Sequence, residues 1–137
     1  MSELRKANFE GTFFVTLTVV GWLDVFTRKS YCDLIIENKI DISWTCFARV
    51  DFVDLEMLKK MKKAGCHQIM YGVENIDASV LKNLNKNINP NQVINAVEWT
   101  KKSGIECRVA FMVGSPGDNE ETVKKNIEFI NGLNPDL

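Results

Sequence analysis

Leu58-Lys-Lys-Met-Lys-Lys-Ala-Gly-Cys-His-Gln-Ile-Met-Tyr-Gly72 is the stretch on which the fold turns. Its first half has helical spacing of apolar residues and a basic last turn. Its second half is an apolar strand pattern. Gly65 stands between them, where a helix ends and positive φ is comfortable only without a Cβ. The lysines before it sit where cations offset the negative end of the helix dipole. A helix, a short joint and a strand form one half of a parallel βα unit.

The same order recurs in Val97-Glu-Trp-Thr-Lys-Lys-Ser-Gly-Ile-Glu-Cys-Arg-Val-Ala-Phe-Met-Val-Gly114. Residues 34–46 are a looser third copy, with Asn38 near the cap position. Asp54, Leu55, Leu58, Met61 and Lys62 predict one amphipathic helix with Asp54 at its start. Asn89-Pro90 is an N-cap and N1 pair for a second, carrying Val93, Ile94 and Val97. Asn119, Glu120 and Glu121 open a third, expected to end at Gly132 and Pro135. Strands are expected over about 13–21, 41–47, 67–73 and 105–113, apolar enough to be covered on both faces. The alternation predicts an α/β fold of parallel strands with right-handed crossovers, in an open doubly wound sheet or a curved barrel-like array.

Either architecture places a ligand at the C-terminal strand ends. Here these are 21–24, 47–51, 72–75 and 114–117, all rich in glycine or polar residues. Arg49 has two readings, an anion clamp or a local partner of Asp51. Glu74 follows Gly72 and suits vicinal ribose hydroxyls, with the glycine permitting close approach. The loop Gly114-Ser-Pro-Gly117 lacks the Gly-Lys-Ser/Thr ending of a phosphate loop. Glu120 and Glu121 at the next helix start argue against phosphate there.

Net charge is -1 without a like-charge block, which gives no nucleic-acid footprint. The longest apolar run, 13–23, is short of a membrane span and broken by threonines, so a cytoplasmic chain is expected. His67, the only histidine, begins a strand, remote from the strand ends that matter. Cys32, Cys46, Cys66 and Cys107 are too scattered for a ligand pair and read as buried small hydrophobes. Met57, Met61 and Met70 read as core. Phe14, Leu17, Trp44, Met70 and Phe111 are expected to fill the inner face of the array.

Four segments in register carry a resemblance: ISWTCFARVD (42–51), MKKAGCHQIMYGVEN (61–75), LKNLNKNINPNQVINAVEWTKKSGIE (81–106) and AFMVGSPGDNEETVKKNIEFINGLNPD (110–136). Together they resemble the later part of a radical S-adenosylmethionine (radical SAM) domain, of the type that often follows a cobalamin-binding domain. The stretch 18–36 is a poorer match to the preceding strand and helix. The resemblance implies one domain over 1–137, with roughly strands two to five of a radical SAM-type (β/α)6 partial TIM barrel.

That family holds a [4Fe-4S] cluster on CxxxCxxC, and this sequence contains no such spacing. The resemblance therefore implies a fragment or remnant that keeps part of the S-adenosylmethionine pocket and is inactive alone. It implies Glu74 at the ribose and Lys86, with Arg49 as a second candidate, at the methionyl carboxylate. Met112, Val113, Gly114, Ser115 and Pro116 would lie along the adenine, and Asp24 would face cluster or substrate. Phe47 replaces a usual Glu, and Asn75 a usual Ser. An incomplete barrel exposes strand edges, so association is expected with itself or with a chain supplying the missing strands. A non-catalytic adenosyl-binding module and a scaffold are the alternatives.

Overall fold

The computed structural model describes residues 29–136. The strand expected over 13–21, with Phe14, Leu17 and Asp24, lies outside the described residues. Helix α1 (Lys29–Glu37) leads to strand β1 (Trp44–Ala48), a 3-10 turn (Val50–Phe52) and α2 (Leu55–Lys63). Then come β2 (Cys66–Glu74), α3 (Ala78–Asn83), α4 (Pro90–Lys102), β3 (Glu106–Phe111) and α5 (Glu120–Leu133). The strands form one parallel sheet in the order β1-β2-β3. The α/β parallel expectation holds.

Local chemistry explains each boundary. Asp54 caps α2 by accepting from Met57 N at 2.7 Å. Asn89 and Gln92 form a reciprocal capping box on α4, with Pro90 at its first position. The joints after α2 and α4 bring Gly65 and Gly104 to φ +93° and +71°, as the repeat predicts. In the looser third copy the left-handed residue is Lys39 at φ 51°, not Asn38. The Asn38 amide instead donates to the Leu34 carbonyl at 2.8 Å. Helix α5 runs through Gly132 and stops at left-handed Asn134, beyond the expected glycine stop. A single glycine costs a helix only about 1 kcal/mol, which the rest of α5 outweighs. Helix α3 has a sequence signal in Asp77, whose carboxylate accepts from Ser79 N at 2.9 Å.

The core lies between one face of the sheet and the helices. Leu58 and Met61 from α2, Ile69, Tyr71 and Val73 from β2, and Val93 and Val97 from α4 are buried there. Each contributes about 1.5–3 kcal/mol of transfer free energy. The Tyr71 hydroxyl meets Thr100 Oγ1 at 2.8 Å, so β2 enters the core without an unsatisfied hydroxyl.

Two sequence expectations about faces are corrected. Burial alternates along β2, so among the described residues the helices cover one face of the sheet, not two. Trp44 and Phe111 belong to the helix side: the Trp44 indole donates to the Ala64 carbonyl at 2.7 Å, and Phe111 packs on Phe129 of α5. Met57 and Met61 are core, whereas Met70 is half-buried on the opposite face. That opposite face carries Thr45, Phe47, Gln68, Met70, Gly72, Glu106, Arg108 and Ala110, by the two-residue period of strands.

Candidate functional site

Glu74 is the last residue of β2 and has φ 68°, a conformation side chains rarely adopt. It sits where the β2–β3 register slips, between the Gly72–Ala110 and Glu74–Phe111 pairs. Its carbonyl accepts from Met112 N at 2.8 Å, which locks the twist. A non-glycine residue held this way stores about 1–3 kcal/mol, and such strain concentrates where a side chain must be aimed.

The side chain is aimed at Lys86. Lys86 Nζ donates to Glu74 Oε1 at 3.0 Å and to the Gly72 carbonyl at 2.7 Å. The two side chains are 21% and 25% exposed, so the pair faces solvent from a partly sheltered position. Lys86 arrives there because α3 ends in a tight turn. Asn85 takes φ 53° and Lys86 N closes onto the Leu81 carbonyl at 2.9 Å. Gly72 completes the cradle: a Cβ there would lie 2.9 Å from Glu74 Oε1 and 3.4 Å from Lys86 Nζ. The structure thus brings together three residues that the strand-end rule and the resemblance singled out separately.

Arg49 takes the local alternative. Its Nε and Nη2 donate to the two Asp51 carboxylate oxygens at 3.0 and 2.8 Å, and its guanidinium lies 5.0 Å from the Phe52 ring centroid. This Arg49 hydrogen bond holds the Asp51 carboxyl below the usual carboxylate range against burial, and the charge of Lys86 acts the same way. Arg49 therefore reaches the β1 strand end as half of a neutralised pair, not as an open clamp.

The loop after β3 is organised from within. Asp118 Oδ2 accepts from Gly114 N at 3.0 Å and Ser115 N at 3.1 Å. Its Oδ1 accepts from Asn75 Nδ2 at 2.8 Å and Thr122 Oγ1 at 2.9 Å. Asn119, not Asp118, caps α5, in a capping box with Thr122. Asn83 Nδ2 pins the Pro116 carbonyl at 2.8 Å. The Gly114 and Ser115 amides are thus already taken, whereas Met112 and Val113 stand exposed beside Glu74. Asp118 is the residue that sequence reasoning missed as an organiser. The signal was its position three and four residues beyond two amides that need an acceptor.

Burial pulls the Asp118 carboxyl upward, but bonds from Thr122, the loop amides and Asn75 outweigh it and hold the pKa low. Asp77 is held low mainly by Ser79. Carboxyls lowered by folding contribute stability that is fully present above their unfolded pKa near 4 and lost as pH falls through the folded value. The melting temperature should therefore be flat from about pH 7 to 5 and fall below about pH 4. A midpoint that rose on acidification would contradict this sign.

His67 sits at the opposite strand end and meets Ser43 Oγ at 2.9 Å, far along β2 from Glu74. An open cleft of about 370 Å³ between α3 and α4 shares Lys86 with the site but contains neither Glu74 nor a strand end, so it is a separate surface feature. Among the described residues no group of three or more His, Cys, Asp or Glu is arranged to hold a metal. Burial raises the Cys32 thiol and pushes Cys107 up to about 12, which favours thiol over thiolate. The four free cysteines, together with the absent CxxxCxxC spacing, do not fit a [4Fe-4S] cluster, and no step through one is assigned to these residues.

The family model for the radical SAM superfamily matches residues 2–130. The chain belongs to the radical SAM superfamily. An uncharacterized methyltransferase of Pyrococcus horikoshii is 35% identical over 118 residues, covering 82% of this chain and 26% of that protein. The radical SAM methyltransferase TsrM of Kitasatospora setae, solved with tryptophan and a SAM analogue, aligns with TM-score 0.73 at 18% identity, over 78% of this chain and 22% of its own. Coproporphyrinogen III oxidase of Escherichia coli, also a radical SAM enzyme, aligns with TM-score 0.71 at 14% identity, over 80% of this chain and 27% of its own. The fold is therefore that of part of a radical SAM barrel, and the chain spans about a quarter of the length of each relative. Radical SAM proteins use S-adenosylmethionine and a [4Fe-4S] cluster. Among the described residues no helix is long and apolar enough to cross a membrane.

Proposed function

We propose that this chain carries the S-adenosylmethionine-binding strand ends of a radical SAM enzyme of the cobalamin-associated type. Glu74 takes the ribose hydroxyls, Lys86 the methionyl carboxylate, and the backbone of Met112 and Val113 lies along the adenine, with Gly114, Ser115 and Pro116 shaping the turn. Arg49 acts through Asp51 rather than on the ligand. The carrying observation is the strained Glu74, aimed at Lys86 across Gly72. An ionised acceptor and a cation side by side at a strand end suit a ligand that bears both a diol and a carboxylate.

When bound, S-adenosylmethionine supplies the reactive adenosyl and methyl groups. The chain's own residues bind and orient it. The 137-residue polypeptide holds the pocket without the cluster ligands and is inactive by itself. Methyl transfer is the reaction class we favour for the complete site, because the Pyrococcus relative bears that name.

Calorimetry with S-adenosylmethionine tests this reading. Wild type should bind, and Glu74→Gln, which keeps shape and backbone strain but removes the charge, should bind at least about tenfold more weakly. That factor corresponds to about 1.4 kcal/mol, at the low end for a hydrogen bond to a charged group. No heat with wild type, or equal affinity in the variant, would sink it.

A second reading concerns partners. Phe47, Phe52 and Val113 stand 82%, 53% and 76% exposed at or near the strand ends. This favours a covering chain, either a second copy or one supplying further barrel strands.

A further inference from the structure

The sheet face turned away from the helices has a floor of its own. Phe47 pairs with Met70, and Met70 with Arg108, so these three side chains form one row across β1, β2 and β3. One step nearer the C-terminal ends the paired residues are Gly72 and Ala110, which are too small to fill the space. A hollow follows, floored by the Phe47–Met70–Arg108 row and rimmed by Glu74, Lys86 and Met112. Phe47 is 82% exposed, an aromatic ring with almost no cover among the described residues.

Arg108 is set firmly into this row. Its Nε donates to Glu106 Oε1 at 2.8 Å, and the same oxygen accepts from Gln68 Nε2 at 2.9 Å. Two donors on one oxygen fix the Glu106 carboxylate, and through it the plane of the guanidinium. Both partners are only about a third exposed. Among the described residues the two η nitrogens of Arg108 have no hydrogen-bond partner. A guanidinium held by one edge presents the other as a fork matched to a carboxylate. The neighbouring Glu106 neutralises the net charge, so a diffuse anion gains little. Selectivity goes instead to a ligand that satisfies the fork while covering apolar surface.

We propose that this hollow binds a small molecule with a flat apolar body and a carboxylate, the body over Phe47 and Met70 and the carboxylate on the η nitrogens of Arg108. That it is the substrate side of the pocket rests on the S-adenosylmethionine reading; the binding itself does not.

The test uses the full 137-residue chain, with 2-naphthoate and its uncharged analogue 2-naphthamide as probes in equilibrium dialysis. Wild type should bind the acid at least about tenfold more tightly than the amide, the scale of one charge-assisted pair. Arg108→Gln should erase that preference and leave the amide unchanged. Phe47→Ala, at an exposed position, should weaken both probes alike. Equal binding of acid and amide by wild type, or an acid preference that survives Arg108→Gln, overturns the proposal. S-adenosylmethionine calorimetry on the same samples separates the two readings. Arg108→Gln should leave that affinity intact. A wild type that ignores S-adenosylmethionine but prefers the acid refutes the cofactor pocket while supporting the carboxylate site.

Discussion

Gly65→Ala should cost about 3 kcal/mol or more of stability, the largest loss expected from adding a single methyl group. A Cβ at Gly65 would lie 1.9 Å from the Ile42 carbonyl oxygen, and that atom is backbone, with no rotamer into which to retreat. The residue also has φ +93°, where alanine carries about 1–2 kcal/mol of strain. Relieving the clash moves the joint itself. The Gly65 carbonyl accepts from Trp44 N at 3.1 Å, and the Trp44 indole donates to the Ala64 carbonyl next to it. Displacement therefore loosens the start of the β1–β2 pairing, at about 1 kcal/mol for each bond weakened. A control exists in Gly104, which shares the positive φ but whose Cβ would meet only Lys62 Cε at 3.8 Å. Gly104→Ala should cost about 1–2 kcal/mol, from strain alone. Urea unfolding of both variants decides the matter. If Gly65→Ala is no worse than Gly104→Ala, the close approach to Ile42 is not a real constraint.

Gly72→Ala should do the opposite, leaving the fold intact and damaging the site. The nearest atom to its Cβ is also closer than 3 Å, but it is the tip of the Glu74 side chain, which can swing. Gly72 has no positive φ, and glycine inside a strand is itself unfavourable by roughly 0.5–1 kcal/mol. The variant should therefore unfold at the same urea concentration or a higher one. The displaced carboxylate, however, can no longer share Lys86 with the Gly72 carbonyl as it does now. S-adenosylmethionine affinity should drop at least about tenfold, because misaiming one charged acceptor forfeits about 1.5–3 kcal/mol. An unchanged affinity would show that the cradle tolerates the methyl group and that Glu74 is not held for binding.

The contrast shows what the sequence made legible. Both glycines stand out in Leu58–Gly72 as punctuation, and the helix–joint–strand order follows from them. The caps at Asp54 and Asn89 were equally readable, because capping is a local interaction within three residues. The resemblance gave Glu74 and Lys86, and the structure joins them. Their participation in binding is the proposal that calorimetry tests.

The faces of the strands were not readable. A strand's parity depends on where its register slips, and slips occur at Trp44/Thr45 and at Gly72/Glu74. Trp44 and Phe111 were therefore assigned to the wrong side. Arg49 had two partners of equal appeal in sequence, and only geometry could choose Asp51. Asp118 was read as a helix cap because its nearest neighbours are a helix start. Its bond to Asn75 spans 43 residues, a pairing that no local pattern encodes.

Glu74 and Lys86 are separated by only 12 positions along the chain, with α3 as the intervening turn. Closing so short a loop costs little entropy and can precede the pairing of distant strands. The polar half of the pocket is thus a self-contained cassette. It emerges from the ribosome as one unit and gains its final aim only when Met112 arrives to clamp the Glu74 carbonyl. Chain order and assembly order coincide there. A graft of this segment should carry the charge pair with it, yet leave behind the twist that points it.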